Sequence, residues 1–156
     1  MKIEKAIKSD SPDLTELTIR SKAHWDYSKE QINDWRDDLT VSESYITENE
    51  VYKMSNGNLL IGYYSFFNVN DAEVKLENLF IEPQFIGKGF GKLLMTDFLE
   101  RAQKTKCDCI TLDADPNVEQ FYQHFGFRTI GQLETTIKNR FLPIMKLSLN
   151  LTQNNA

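Results

Sequence analysis

The sequence between residues 79 and 94 reads Leu79-Phe80-Ile81-Glu82-Pro83-Gln84-Phe85-Ile86-Gly87-Lys88-Gly89-Phe90-Gly91-Lys92-Leu93-Leu94. It begins with an apolar run typical of a strand, passes through a proline and three glycines within five residues, and ends in apolar residues at helical spacing. A strand that leads through a glycine-rich turn into a helix gathers unpaired backbone N–H groups at the positive end of the helix dipole. Because glycine has no Cβ atom, a phosphate group can approach such a turn closely. The stretch therefore predicts a site for a phosphate-bearing ligand.

Two nucleotide-binding motifs that share this glycine-rich character do not fit. A Walker loop needs Ser or Thr after its lysine to hold magnesium, and Lys92 is followed by Leu93. A dinucleotide-binding fingerprint that starts at Gly89 and Gly91 would need its third glycine where Leu94 stands. The strands before it also look antiparallel. A tight strand-to-helix connection, in which the glycines only fit the backbone, remains an alternative at this point.

A second motif follows downstream and reads Asp115-Pro116-Asn117-Val118-Glu119-Gln120-Phe121-Tyr122-Gln123-His124-Phe125-Gly126-Phe127. Together with the glycine-rich stretch, it resembles the two signature motifs of the GNAT superfamily of N-acyltransferases, in the order that the family shows. The order of elements from Lys2 to Leu149 also fits, so the resemblance covers nearly the whole chain, although the first forty residues carry no family-wide signature. The sequence departs from the family at Ile86, where Gln or Arg is usual. Phosphate binding should survive, because backbone amides do most of the work.

The resemblance implies an α/β (α+β) fold with a mixed, mostly antiparallel central sheet of about six to seven strands and helices on both faces. We expect a single acetyltransferase domain over residues 1–150 and a polar tail at 151–156. The resemblance also implies that acetyl-CoA is the co-substrate, that a primary amine of a small molecule or peptide accepts the acetyl group, and that no metal takes part.

The family resemblance assigns the cofactor-binding residues. The strand Leu79, Phe80 and Ile81 would offer backbone groups to the pantetheine arm, much as a sheet edge receives another strand. A backbone N–H near Leu79 would polarise the thioester carbonyl. Two downstream residues, Asn117 and Phe121, would flank the arm. The pyrophosphate would bind the glycine turn, which we define as Gly87, Lys88, Gly89, Phe90, Gly91 and Lys92.

Two catalytic residues follow from the same resemblance. An alkylammonium acceptor with a pKa near ~10 must lose a proton before it attacks, and Glu77 matches the position at which several family members carry the base. The alternative is that Glu77 is a solvated strand residue, with Glu73 and Asp113 as weaker substitutes. Tyr122 resembles the general acid that protonates the departing CoA thiolate; its alternative is a packing role beside aromatic neighbours.

Periodicity and turn signals predict the order of elements along the chain. In the first half of the chain, the predicted elements are a strand at Lys2–Lys8, a helix that starts within residues 9–13, a helix capped by Ser28 that carries Leu39 on its apolar face, and strands at about Ser44–Tyr52, Leu59–Phe67 and Glu73–Ile81. In the second half, they are a helix from Lys92 to Ala102, a strand at Cys109–Ala114, a short helix from Pro116 to about His124, and strands near Phe127–Leu133 and Pro143–Leu149.

Composition and charge argue against several classes of binding partner. A net charge of −5 lacks the basic excess of a protein that neutralises many phosphates, so we expect no nucleic acid partner. No stretch approaches the ~20 apolar residues of a membrane span, and the N-terminus lacks a signal-peptide core, so we expect no membrane association and a cytoplasmic location. Two cysteines, Cys107 and Cys109, are too few for a zinc site without further ligands.

The amine acceptor is left open by the sequence. The aromatic segment His24, Trp25, Tyr27 and Trp35 is either packing between two short helices or a wall on the acceptor side. The resemblance to the family also implies a homodimer. A rival interpretation is a non-catalytic acyl-CoA sensor or interaction module with the same fold, although a sensor needs neither an acid nor a base.

Overall fold

The computed structural model describes residues 1–135 and 140–149. Short 3₁₀ turns precede three of its helices, at Lys8–Asp10, Pro83–Phe85 and Pro116–Val118. In chain order, the helices and strands of the described residues are β1 (Lys2–Lys5), α1 (Ser11–Ala23), α2 (Lys29–Asp34), α3 (Glu43–Glu48), β2 (Glu50–Asn56), β3 (Leu59–Asn68), β4 (Glu73–Ile81), α4 (Phe90–Lys104), β5 (Cys109–Asp113), α5 (Glu119–Gln123), β6 (Arg128–Glu134) and β7 (Phe141–Ser148).

The strands form one seven-stranded sheet in the order β1-β2-β3-β4-β5-β7-β6. The β4–β5 pair is parallel, because α4 provides the crossover that a parallel connection requires. The pairs β1–β2, β2–β3, β5–β7 and β6–β7 are antiparallel. The predicted mixed, mostly antiparallel sheet with helices is therefore confirmed.

The chain divides into two compact units. The first comprises residues 1–66 and 78–99, and the second comprises residues 67–77 and the described residues from 100 onward. Strand β4 contributes to both units, since the division falls after Glu77. A single domain over residues 1–150 stays a prediction, and the predicted polar tail at 151–156 lies outside the described residues.

The first unit places helices on both faces of its strands. Neighbouring residues of a strand point to opposite faces, and in β3 these are Tyr63 and Tyr64. The hydroxyl of Tyr63 shares a 2.6 Å hydrogen bond with Thr18 of α1, and that of Tyr64 donates a 2.6 Å bond to Asp97 of α4. The core on the α1 face, named here the α1 core, contains Ala6, Leu14, Leu17, Val41, Ile46, Val51 and Tyr63.

A close approach of two strand backbones lies at Gly62 in β3. A Cβ atom added to Gly62 would lie 2.7 Å from the backbone oxygen of Phe80 and 2.8 Å from Cδ1 of Ile81. Both distances are shorter than any ordinary van der Waals contact, so only glycine fits there without a shift of β3 from the end of β4.

The second unit is built around β5. Its core contains strand side chains, among them Val74, Ile110, Leu112 and Met145, together with Phe127, which directly precedes β6. The last strand in the sheet order, β6, lies at the edge of the sheet and exposes nearly all of its residues.

Three predictions about local structure are wrong. A strand was predicted for Ser44–Tyr52, but residues 43–48 form α3 and the strand begins at Glu50. The reason is a helix cap, because Ser42 Oγ accepts a 3.0 Å hydrogen bond from the backbone N–H of Tyr45. The first strand ends at Lys5 rather than Lys8, where Asp10 turns the chain by accepting from Ile7 N–H. Leu39 lies beyond α2, which ends at Asp34.

Gly62→Ala should destabilise the protein by about 1–3 kcal/mol, since the new methyl group overlaps the Phe80 carbonyl. The measurement is urea unfolding. Gly131→Ala is the matched control, because a Cβ there meets no atom closer than 3.8 Å and Gly131 also lies in a strand. Equal stability of Gly62→Ala and wild type would show that β3 and β4 can separate at little cost.

Candidate active site

The glycine turn adopts the left-handed backbone that its sequence suggests. Gly87 and Gly89 have φ values of +81° and +90°, which side-chain-bearing residues rarely adopt. A Cβ atom at either position would meet no atom within 4 Å. The backbone conformation, and not close packing, therefore requires these two glycines, and the space beside them is open to a ligand.

The helix after the turn begins earlier than predicted. Helix α4 starts at Phe90, so Gly91 and Lys92 lie in its first turn rather than before it. The backbone N–H of Leu93 bonds to the Gly89 carbonyl at 3.3 Å, and the preceding amides of the first turn have no partner within the helix. A 15-residue helix adds its positive dipole end, and Lys88 and Lys92 are exposed beside it. This end of α4 is suited to bind phosphate.

An ion pair fixes the strand end from which the glycine turn departs. Arg20 of α1 donates two hydrogen bonds to the carboxylate of Glu82, at 2.9 and 2.6 Å. Glu82 is only 8% exposed, and its backbone N–H bonds to the Ile61 carbonyl at 2.8 Å. The bond to Glu82 raises the pKa of Arg20 above its ordinary value. Sequence reasoning missed this pair.

The residues predicted to receive the pantetheine arm lie at the end of β4 in the first unit. Ile81 is buried, and Phe80 packs on Tyr63 with ring centroids 6.1 Å apart. Because these side chains are used in packing, only the backbone groups of residues 79–81 suit an extended ligand. Phe85 and Phe90 pack edge to face at 5.6 Å across the turn.

Tyr122 lies in α5 of the second unit and is 7% exposed. Its ring packs edge to face on Phe121 at 5.1 Å and on Phe127 at 6.0 Å. The hydroxyl makes no hydrogen bond with the described residues. Among those residues, every fully buried side-chain N or O atom has a hydrogen-bond partner, so the Tyr122 hydroxyl is not fully buried and retains contact with solvent. Burial, and secondarily the charge of Asp115, raises the pKa of Tyr122. The hydroxyl therefore keeps its proton at neutral pH and can donate a hydrogen bond.

Asn117 and Phe121 both precede Tyr122 in the sequence and differ in environment. Asn117 is exposed, and its backbone N–H and side-chain Nδ2 both donate to Asp115 Oδ1, at 2.9 and 2.8 Å. Phe121 is half-buried and packs on Phe125 at 5.3 Å. Asp115 also lies 3.5 Å from Arg140. The loop before α5 is thus ordered by one carboxylate.

The three candidate bases differ in their contacts. Glu73 accepts a 2.6 Å hydrogen bond from Thr111, and Asp113 pairs with Lys75 at 2.9 Å. Glu77 is exposed on β4. Glu77 is more exposed than Glu73 and Asp113, and its role as the base stays a prediction.

The aromatic segment packs between α1 and α2. The rings of Tyr27 and Trp35 meet edge to face at 5.0 Å, and Lys22 lies 5.5 Å from one and 5.7 Å from the other. His24 contacts Trp25 in the same way at 5.1 Å. These contacts support the packing interpretation, and the acceptor-side role stays a prediction.

Cys109 is the first residue of β5, and Cys107 lies two residues before it. Cys107 is buried, and burial raises the pKa of the Cys109 thiol. Within residues 1–135 and 140–149, no three His, Cys, Asp or Glu side chains are grouped to hold a metal ion. Across the same residues, no helix has the length and apolar character needed to cross a bilayer.

Comparison with known proteins identifies the family. The family model described as an acetyltransferase (GNAT) domain matches residues 23–149. The chain therefore belongs to the GNAT acetyltransferase family. It is similar to the uncharacterized N-acetyltransferase ycf52 of Gracilaria tenuistipitata var. liui, with 31% identity over 91 residues, which are 58% of this chain. The match spans 50% of that relative's own length.

Solved structures share the fold. A GCN5-related N-acetyltransferase from Rhodopseudomonas palustris superposes with a TM-score of 0.79 at 17% identity, covering 95% of each chain. The paiA N-acetyltransferase from Thermoplasma acidophilum, in complex with coenzyme A, superposes with a TM-score of 0.77 at 21% identity, covering 95% of this chain and 98% of that one. These likenesses confirm the predicted fold.

Gly89→Ala should lower affinity for coenzyme A roughly tenfold or more, because alanine disfavours the left-handed backbone that presents the amides. The measurement is the rise in melting temperature with coenzyme A. Gly57→Ala is the control, since Gly57 is also left-handed, with φ of +62°, in the β2–β3 hairpin. If both variants keep the wild-type response, the turn does not bind the pyrophosphate.

Tyr122→Phe should gain stability relative to wild type above about pH 10. The unfolded phenol ionises there while the folded one keeps its proton, so the folded state of wild type is disfavoured as pH rises. The difference in unfolding free energy should stay constant between pH 7 and 9 and then change by up to about 1.4 kcal/mol per pH unit. If the difference in unfolding free energy between the variant and wild type stays constant to pH 11.5, folding does not raise the pKa of Tyr122.

Proposed function

We propose that this protein transfers the acetyl group of acetyl-CoA to a primary amine of a small molecule or peptide, by direct attack of the amine in a ternary complex. The observation that carries the proposal is the glycine turn, in which two left-handed glycines open onto free space at the start of α4. The relative named an N-acetyltransferase and the fold neighbour solved with coenzyme A support it.

The turn would hold the pyrophosphate of acetyl-CoA. Amides in the first turn of α4 supply directed donors, and the exposed Lys88 and Lys92 supply charge. The backbone of Leu79–Ile81 would pair with the pantetheine arm. Asn117 and Phe121 would border the same arm, one through its polar side chain and the other through its ring.

Three atoms change charge during the chemical step: the amine nitrogen, the thioester carbonyl oxygen and the sulfur. The amine nitrogen attacks the thioester carbon, and the backbone N–H near Leu79 would stabilise the negative charge that develops on the carbonyl oxygen. Glu77 would accept the proton that the nitrogen releases. The carbon–sulfur bond then breaks, and the product amide leaves together with the CoA thiolate, which takes its proton from water.

Tyr122 would assist the departure of sulfur. Its raised pKa keeps the hydroxyl protonated, so a donor is always available. A phenol is a weaker acid than a thiol, whose pKa is near ~8.5, so complete proton transfer to the thiolate is uphill. Tyr122 therefore acts mainly as a hydrogen-bond donor while the bond breaks, and its removal should slow turnover without abolishing it.

A thiol-release assay with acetyl-CoA tests the proposal. Amino acids, polyamines, aminoglycosides and peptides with a free N-terminus or lysine make up the amine panel, and mass spectrometry identifies the acetylated product. Release of CoA in step with N-acetylation is the expected result. Tight acetyl-CoA binding without release by any amine would favour the acyl-CoA sensor instead.

Two variants separate the catalytic roles. Glu77→Gln should reduce turnover most at low pH, where the amine is protonated, with acetyl-CoA affinity nearly intact; Glu134→Gln on exposed β6 is its control. Tyr122→Phe should lower kcat roughly 10²-fold, or about 3 kcal/mol in the barrier. Its control is Tyr52→Phe, another buried tyrosine. Unchanged kcat for either variant, with chemistry rate-limiting, would remove that residue from the mechanism.

A further inference from the structure

A group of three polar side chains, named here the Asn78 triad, lies against the α1 core. The Nδ2 atom of Asn78 donates to Ser65 Oγ at 2.9 Å and lies 3.4 Å from the hydroxyl of Tyr45. Tyr45 and Ser65 share a further hydrogen bond of 2.8 Å. Ser65 is 0% exposed, and Tyr45 packs on the α1 core. Because polar groups in such surroundings are costly unless bonded, the triad holds one arrangement.

The triad fixes the carboxamide of Asn78 and leaves one of its atoms unused. A carboxamide has two N–H donors and one carbonyl acceptor. Both bonds of Asn78 run through Nδ2, and Oδ1 accepts no hydrogen bond from the residues that the structure describes. Among the described residues, every fully buried side-chain N or O atom has a hydrogen-bond partner. Because Oδ1 has none, it is not fully buried and can be reached by solvent or a ligand.

On β4, Asn78 lies between two residues with proposed roles in the reaction. It follows Glu77, the candidate base, and precedes Leu79, the candidate donor to the thioester. Its contact with Tyr45 places it on the α1 face of the strands. Helix α4, to which the glycine turn leads, packs on the opposite face, where Tyr64 bonds to Asp97.

We propose that Asn78 binds an N–H group of the acceptor amine through Oδ1, with Ser65 and Tyr45 as positioning residues. The inference rests on the proposed function, because direct transfer needs the amine to arrive from a side that acetyl-CoA does not occupy. The α1 face provides that side, since the phosphate-binding helix end belongs to the other face.

An amide oxygen suits a nucleophilic amine better than a carboxylate would. A carboxylate favours the charged ammonium, which cannot attack, and so raises the pKa of the bound amine. A neutral carbonyl accepts a hydrogen bond from the free base with far less preference for the charged form. Asn78 would therefore orient the amine without favouring its charged form. Because Glu77 is the neighbouring strand residue and points to the opposite face, it would take the proton through a water molecule and not by direct contact.

Asn78→Ala should raise KM for the amine roughly tenfold, equivalent to about 1.4 kcal/mol, and leave KM for acetyl-CoA unchanged. Ser65→Ala should raise the amine KM less, because the carboxamide remains but is less firmly held. Asn68→Ala, an exposed asparagine at the end of β3, is the matched control and should resemble wild type. Melting curves with coenzyme A verify that each variant is folded and binds the cofactor.

Asn78→Asp gives a readout that a structural role would not move. Ser65 and Tyr45 can donate to a carboxylate of the same shape, so the variant should fold. Its kcat should fall at neutral pH and recover at higher pH, because the bound amine loses its proton later. A pH profile identical to that of wild type would overturn the proposal.

The possible outcomes distinguish the role of Asn78 from the proposed acetyltransferase activity. Wild type that acetylates an amine, together with Asn78→Ala that keeps its amine KM, overturns the role of Asn78 and leaves the enzyme assignment intact. Wild type that releases no CoA with any amine overturns both. A rise in amine KM confined to Asn78 and Ser65 variants, with the pH shift in Asn78→Asp, supports the proposal.

Discussion

The contact between Gly62 and the carbonyl of Phe80 is the constraint on which the rest of the first unit depends. With hydrogen in place of a side chain, β3 can lie close to the end of β4. The carbonyl of Ile61 is then within reach of the Glu82 amide, and the Glu82 carboxylate meets Arg20 of α1. The strand end is thereby held by backbone and side chain together, and the glycine turn starts from a fixed point.

If the protein binds acetyl-CoA as proposed, a strongly anionic ligand must bind to a protein with a net charge of −5, and the fold would meet this need locally. The positive potential comes from backbone amides at the start of α4 and from two exposed lysines, and it decays within about one Debye length, ~10 Å at 0.1 M salt. The acidic remainder of the surface can then attract cationic amines. Under the proposed function, the anionic and the cationic substrate would therefore be attracted by different parts of the surface.

The sequence predicted those parts whose causes are local. Strand Glu73–Ile81 and the glycine turn were predicted because alternation, a polar turn and clustered glycines each act within a few residues. Residues 43–48 were predicted wrongly, because Tyr45 and Ile46 favour a strand by composition while the cap at Ser42 turns them into a helix. Arg20 and Glu82 are 62 residues apart, and Tyr45 and Asn78 are 33 apart. No local pattern signals such partners, since only the folded sheet brings them together.

Burial raises the pKa of both Tyr122 and Cys109, and this has a consequence for the protein's own integrity. A thioester acylates whatever strong nucleophile it meets, and phenolate and thiolate are far stronger nucleophiles than the neutral phenol and thiol. Keeping both groups protonated makes them poor targets for stray acetylation. If the protein binds acetyl-CoA as proposed, the same desolvation that preserves a hydrogen-bond donor at Tyr122 would also limit acetylation of its own side chains.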